Sequence, residues 1–445
     1  MADDSIDRPN VLMIVTDQHR WDTVGAHGSP MDLTPNIDQL AAEGLRFDNA
    51  VTPQPVCGSS QSVIHTGRYA TETGVWRHSL PLADGERTLA HYFAENGYET
   101  GFVGSWHLAG TFDEPVPTSH RGGYEDFWIG ADVPEFMTQP TEGMLFDENG
   151  EPVTFDKYRA DAFADFAIDA IETLSEPFFL MVGFLEPHDQ NDQQTFVAPE
   201  GYAERYRNNP YVPPDLRDRP GNWFNELPDY YGAVERIDEC IGRLTDTLAR
   251  TGVRDETIVA FTSDHGCHFR SRPGEYKRTC HDASVHVPAV LHGPGIDAGR
   301  VVERTVSLVD WAPTILDAAG NDVPESMHGH SLLDDDHPRM GEAFIQLSGS
   351  EIGRAIRTDR WKLGVSAPTL TGWRGGKAEK SSDHYVERYL YNLARDPAEQ
   401  VNLVGRPEYR AVFERLRDRL LEYIRDIEGE DPTIDPVSNP GYQDY

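Results

Sequence analysis

Short apolar runs recur along the chain at residues 11–16, 99–103, 178–184, 257–262 and 287–291. Unbroken and rich in β-branched and aromatic residues, they read as strands buried on both faces. Between them, helical spacing covers 35–43, 88–96, 157–174, 230–250 and 310–319. The first of these has Thr34 as N-cap and Pro35 at the first helical position, where the missing N–H costs nothing. Strands alternating with helices predict an α/β fold: a mixed, mostly parallel sheet flanked by helices.

Beyond residue 335 the pattern changes. Short strand-like runs at 343–347, 354–358, 361–365 and 389–393 precede a helix over 408–427, which predicts a smaller C-terminal antiparallel sheet with a packing helix. The expected division is a catalytic α/β domain over 1–335 and a subdomain over 336–445, in keeping with a length of 445 residues. Segments 110–155 and 190–228, rich in Pro, Gly, Asp and aromatics, read as loops over a site, and the tail 428–445 as irregular.

Composition narrows the function classes. Thirty-nine basic against 75 acidic residues leave a net charge of -36, which repels phosphate backbones and anionic lipid and argues against nucleic-acid or membrane partners. Only five of the basic residues are lysine, and the acidic ones are spread throughout, the pattern of proteins from salt-loving organisms. With 38% apolar residues the acidity decorates a folded surface rather than a disordered chain. Four cysteines, at 57, 240, 267 and 280, are too few for a disulfide framework. The first residues have no basic and apolar leader pattern, so a cytoplasmic location is expected.

Ligands of open α/β sheets bind beyond the carboxyl ends of the strands. Here those ends read Asp17-Gln18, Glu186-Pro-His188 and Asp264-His265. Asp17, Gln18, Asp264 and His265 suit a divalent cation, with calcium first and manganese or zinc as alternatives. Taken singly, each pair is also an ordinary turn or helix cap; together they point to one site. Cys57 precedes a short helix opened by small polar residues, where a positive helix end lowers a thiol pKa or steadies an oxyanion. A small core residue is the plainer reading of that cysteine. Cys267-His268 and Cys280-His281 have the look of a zinc quartet, set against local packing or a disulfide. His19, His27 and His65 lie near these motifs, and Asn191, Asp192 and Gln194 follow His188 either as substrate contacts or as surface loop.

These stretches together resemble the sulfatases of the alkaline phosphatase superfamily, a group that includes arylsulfatase-like enzymes and phosphonate monoester hydrolases. The resemblance rests on Pro9-Asn-Val-Leu-Met-Ile-Val-Thr-Asp-Gln18, Thr34-Pro-Asn-Ile-Asp38, Cys57 to Arg68, Gly97 to Leu108, Phe184-Leu-Glu-Pro-His188 and Thr262-Ser-Asp-His-Gly266. It continues through 354–362 and 390–403 in the same order. It implies an alkaline-phosphatase-like fold, metal ligands at Asp17, Asp264 and His265 with Gln18 at a further ligand position, and Cys57 as the residue oxidised to formylglycine. His107, His188 and Lys277 match groups that hold the anionic ester and move protons. The implied reaction is hydrolysis of a sulfate ester on a carbohydrate or small organic molecule.

Two departures carry weight. The nucleophile motif reads Cys57-Gly-Ser-Ser-Gln61 without the family's proline or alanine and without its arginine, and Gly104-Ser-Trp-His107 lacks its lysine. Gln61 and Ser105 donate hydrogen bonds but no charge, and Arg77 and His78 are candidates to contact substrate in their place. A matured sulfatase, a hydrolase using unmodified Cys57 with Ser59 or Ser60 as fallback nucleophiles, a phosphonate monoester or phosphodiester hydrolase, and a binding protein without turnover all fit these residues.

Overall fold

The computed structural model describes residues 8–208, 210–272, 274–334 and 340–437. A mixed sheet of eleven strands runs, edge to edge, through Arg300–Ser307, Leu45–Val51, Ala289–His292, Thr257–Ser263, Asn10–Thr16, Phe178–Phe184, Glu99–Ser105, Phe127–Ala131, Gly143–Phe146 and Pro152–Phe155, with His286–Val287 paired to Leu45–Val51. The central strands are parallel: Asn10–Thr16 lies between Phe178–Phe184 and Thr257–Ser263, pairing Val11 with Phe179 and Ile258.

Successive residues of Asn10–Thr16 supply two cores. Val11, Met13 and Val15 join Phe93, Trp106, Phe179 and Trp311 on one face, where Cys57–Thr66, Leu89–Glu95 and Trp311–Ala318 pack. Leu12 and Ile14 join Phe163, Ala167, Leu180, Ile237 and Leu244 on the other, covered by Arg159–Thr173 and Trp223–Thr251. An unbroken apolar run is therefore what a two-faced central strand requires.

Helix Pro35–Glu43 begins where expected, but Thr34 makes no side-chain cap to it. The carboxylate of Asp238, from the long helix, takes the N–H groups of Asn36 and Ile37 at 3.1 and 2.8 Å instead. A cap delivered from two hundred residues away fixes the helix to the body of the domain.

Several expectations are corrected. Segment 110–155 is not only loop: it holds strands Phe127–Ala131, Gly143–Phe146 and Pro152–Phe155, which extend the sheet. The long helix starts at Trp223, inside the segment expected as loop up to 228, and contains Pro228 near its start. Strands Leu45–Val51 and Arg300–Ser307 were not anticipated. The smaller sheet runs Glu342–Leu347, Glu351–Thr358, Trp361–Thr371, His384–Asn392 and Thr433–Asp435, with helix Arg410–Glu428 packed on it. Its last strand lies in the tail expected to be irregular and pairs in parallel, so only the first four strands are antiparallel. The expected boundary at 335/336 and the tail beyond 437 lie outside the described residues.

Candidate active site

The strand ends converge as the parallel topology demands. Asp17 follows Asn10–Thr16 and Asp264-His265 follow Thr257–Ser263, while Cys57 is the first residue of helix Cys57–Thr66. One ligand atom from each of Asp17, Cys57, Asp264 and His265 lies within 4.8 Å of the others, all four residues being buried. Ser60 ties the helix to this edge: its hydroxyl donates to Asp264 O at 2.6 Å and meets Thr52 Oγ1 at 2.9 Å. Ser59 Oγ has no partner among the described residues.

The ionisation states follow from crowding. Burial and the neighbouring Asp17 carboxylate push the Asp264 carboxyl well above its ordinary range. Its Oδ1 accepts from Gln18 N at 3.0 Å and His265 N at 2.7 Å, whereas Asp264 Oδ2 and Asp17 Oδ2 are buried without hydrogen-bond partners among the described residues. Burial, then Lys277, hold His265 well below its ordinary value, so the ring is neutral. His265 Nδ1 donates to Gly266 O at 3.1 Å, which leaves the Nε2 lone pair 3.5 Å from Asp17 and 3.4 Å from Asp264. Two carboxylates and a neutral imidazole with orphaned lone pairs fit a divalent cation.

Lys277 reaches into the same cluster from just beyond Tyr276, whose carbonyl accepts from His268 N at 2.8 Å. Its Nζ is 2.9 Å from Cys57 Sγ, 3.0 Å from His188 Nε2, 3.4 Å from Gln18 Oε1 and 3.8 Å from Asp17. Burial opposes its charge, but Cys57, Asp17 and Asp264 hold the ammonium above its usual value. The Gln18 side chain stands beside the cluster, its amide donating to Asp189 Oδ1 at 3.3 Å. The expected lowering of the Cys57 thiol does not occur: burial and Asp17 push it well up despite Lys277. An un-ionised thiol is a poor nucleophile.

A cleft of about 500 Å³ opens above this floor, lined by Cys57, His78, Glu135, His188, Arg270 and Lys277 among others. Asn191 and Gln194 line it as well, while Asp192 instead accepts from Gln139 at its exposed rim. His78 faces His107 with ring centroids 6.2 Å apart, and burial lowers it to about 4, so it is neutral. Arg77 is not among the lining residues; its guanidinium sits 5.4 Å from the Trp76 ring. Gln61 Oε1 and Ser105 Oγ are buried without partners among the described residues.

Glu135 escaped sequence reasoning. It sits in the turn Pro134–Phe136 past strand Phe127–Ala131, so the strand-end rule applies to it once that strand is recognised. No disulfide joins Cys267 and Cys280, and among the described residues these cysteines with His268 and His281 form no metal-ready cluster: Cys267 accepts from Phe269 N at 3.4 Å, and Cys280 packs among Val285, Ile345 and Leu347. His19 and His65, lowered to about 3 by burial, are core residues bonded to Thr23 and Tyr124, and His27, lowered by burial to about 4, lies 4.0 Å from Asp48.

A metal-ready cluster, a buried lysine and a strand-end histidine beneath a polar cleft on this sheet define a hydrolase of anionic esters. The sulfatase family model matches residues 9–321, and the chain belongs to that family of sulfate ester hydrolases. It is 29% identical over 449 residues to an ulvan-active sulfatase of Formosa agariphila, covering 95% of this chain and 82% of that protein. It is 27% identical to the uncharacterized sulfatase YidJ of Escherichia coli, covering 94% and 88%. In fold it is similar, with a TM-score of 0.76 and 22% identity, to a solved protein in complex with its substrate D-glucosamine-2-N,6-O-disulfate, covering 96% and 99%. A phosphonate monoester hydrolase of Agrobacterium radiobacter matches with a TM-score of 0.67 and 22% identity, covering 94% and 96%.

Proposed function

We propose that the protein is a metal-dependent hydrolase of sulfate esters borne by a carbohydrate. The carrying observation is the arrangement of Asp17, Cys57, Asp264 and His265 within 4.8 Å, with Lys277 bonded to both Cys57 and His188. The ulvan-active relative and the neighbour bound to a disulfated glucosamine support a sugar substrate.

In this reading Asp17, Asp264 and His265 hold the cation and Gln18 completes its surroundings. Calcium is the cation the family resemblance implies, and the imidazole also accommodates manganese or zinc. When bound, the metal polarises an ester oxygen and the nucleophile. Position 57, as formylglycine, supplies a hydrated aldehyde oxygen in place of a thiol that burial keeps protonated. Lys277 and the His107 ring pair with non-bridging ester oxygens, and His188 protonates the leaving oxygen. Gln61, Ser105 and His78 contribute neutral hydrogen bonds, and Arg77 approaches from outside the cleft. The proposed catalytic unit spans 1–335 and the subdomain 336–445.

Turnover on an aryl sulfate against an aryl phosphonate monoester, with calcium or manganese present, tests the reading. Sulfate turnover is expected to dominate; the phosphonate monoester hydrolase neighbour makes the reverse preference the second reading. Peptide mass spectrometry across Cys57 reads its maturation, formylglycine being lighter than cysteine.

A further inference from the structure

Two of the family's cations near the nucleophile are replaced here by the neutral residues Gln61 and Ser105, in a site that must still stabilise developing negative charge. His107, two residues beyond Ser105, has a surrounding that supplies one. Its backbone takes a left-handed φ of 60°, held by its N–H donating to Asp132 O at 2.7 Å. The Asp132 carboxylate then gathers the N–H groups of Ala109, Thr111 and Phe112 at 2.9, 2.8 and 3.2 Å, fixing the segment that follows. The ring Nε2 lies 3.1 Å from each carboxylate oxygen of Glu135, and both side chains are almost fully buried. Glu135 is itself fixed by the turn Pro134–Phe136, where Thr138 Oγ1 donates to Pro134 O at 2.7 Å.

Two oxygens on one ring nitrogen require a proton at Nε2, and Nδ1 is left buried with no partner among the described residues. The His107 backbone carbonyl and Cβ approach Gly58, the residue after Cys57, so the ring is anchored next to the nucleophile position.

We propose that Glu135 is a positioning residue that holds His107 as an imidazolium, so that this ring replaces the positive charge absent at positions 61 and 105. The charged and titratable neighbours are consistent: Asp17 and Asp132 add negative charge around His107, the Asp264 carboxyl beside Asp17 is held towards its neutral form, His78 and His188 flank Glu135, and Lys277 and Cys57 lie beyond. Burial alone would lower His107, yet Glu135 outweighs it and raises the ring to about 9. The same pair draws the Glu135 carboxyl well below its ordinary value against the burial that would raise it. The inference rests on the hydrolase reading for its catalytic consequence but not for the pairing itself.

Nuclear magnetic resonance of histidine-ring-labelled protein, with His107 assigned through His107→Gln, separates the two. Wild-type His107 is expected to titrate near 9, and Glu135→Gln to bring it below 6.5, the ordinary value. Glu135→Asp, which keeps the charge, restores part of the shift. In turnover, Glu135→Gln moves the alkaline limb of kcat to lower pH with KM nearly unchanged. An unshifted His107 titration in folded Glu135→Gln overturns the proposal. A shifted titration in a protein that turns over no ester upholds the pairing and removes the hydrolase reading instead.

Discussion

Asp282 opens the helical turn Asp282–Val285, five residues after Lys277, and its carboxylate faces the small sheet. It accepts from Arg357 Nε and Nη2 at 3.0 Å each and from Lys362 Nζ at 2.5 Å. Lys362 also reaches Glu399 at 2.7 Å, and Glu399 takes the Asp282 N–H at 2.6 Å. All four side chains are buried or nearly so. Asp282→Asn leaves two buried cations against the single charge of Glu399. Removing one partner of a buried pair costs about 3–5 kcal/mol, a large part of the 5–15 kcal/mol typical of a folded domain. Urea unfolding followed by tryptophan fluorescence is expected to show a midpoint lowered accordingly at unchanged slope. The acid side sharpens the test. Burial would raise the Asp282 carboxyl, but Arg357 and Lys362 hold it well below its ordinary 3.8. A depressed folded value contributes stability that is fully present above the unfolded value and is lost as pH falls. The gap between wild type and variant should therefore be widest near neutrality and begin to narrow only below about pH 4, shrinking progressively as acid is added. A variant within about 1 kcal/mol of wild type at pH 7, or a gap indifferent to acid, refutes the reasoning.

Lys277→Met is expected to lower kcat by about 10²–10³-fold, the usual cost of one oxyanion-stabilising donor, and a loss under about tenfold in steady-state assays would remove Lys277 from that role. Gln61→Arg combined with Ser105→Lys should raise kcat/KM on an aryl sulfate by about tenfold or more; an unchanged or lower value in a folded variant means the site does not lack those charges. The net charge of -36 opposes an anionic substrate, so KM should fall as potassium chloride rises and the Debye length shrinks from about 10 Å at 0.1 M to about 3 Å at 1 M. Highest kcat/KM in dilute buffer would contradict that account.

The parts of the fold legible in the sequence are those whose environment leaves an unambiguous pattern. Asn10–Thr16, Phe178–Phe184 and Thr257–Ser263 are buried at every position, so their middles run apolar without alternation before the chain reaches Asp17, Leu185-Glu186 or Asp264. Arg300–Ser307, an edge strand, mixes three valines with Arg300, Glu303 and Arg304 without a regular period, and that pattern did not separate it from loop. Phe127–Ala131 is five residues long amid glycine and aspartate, and missing it concealed Glu135. Pro228 broke the periodicity that would have carried the long helix back to Trp223. In the site, Asp17, Asp264 and His265 announced themselves as strand ends. Lys277 had no local signal, since its loop is held by backbone contacts to His268 and was identified only through family resemblance.

The loop that presents Lys277 is fastened on its far side to residues that come much later in the chain. Ser350 Oγ donates to Arg278 O at 2.6 Å, Arg357 and Lys362 grip Asp282, and Arg272 donates to Glu399 O at 3.2 Å. During synthesis the large sheet up to Arg300–Ser307 can assemble as it emerges, yet the lysine loop gains these later fastenings only as residues 350–399 leave the ribosome. Competence for chemistry is thus among the last properties the growing chain acquires, and proteolytic loss of the final hundred residues would silence an otherwise complete set of strand-end ligands.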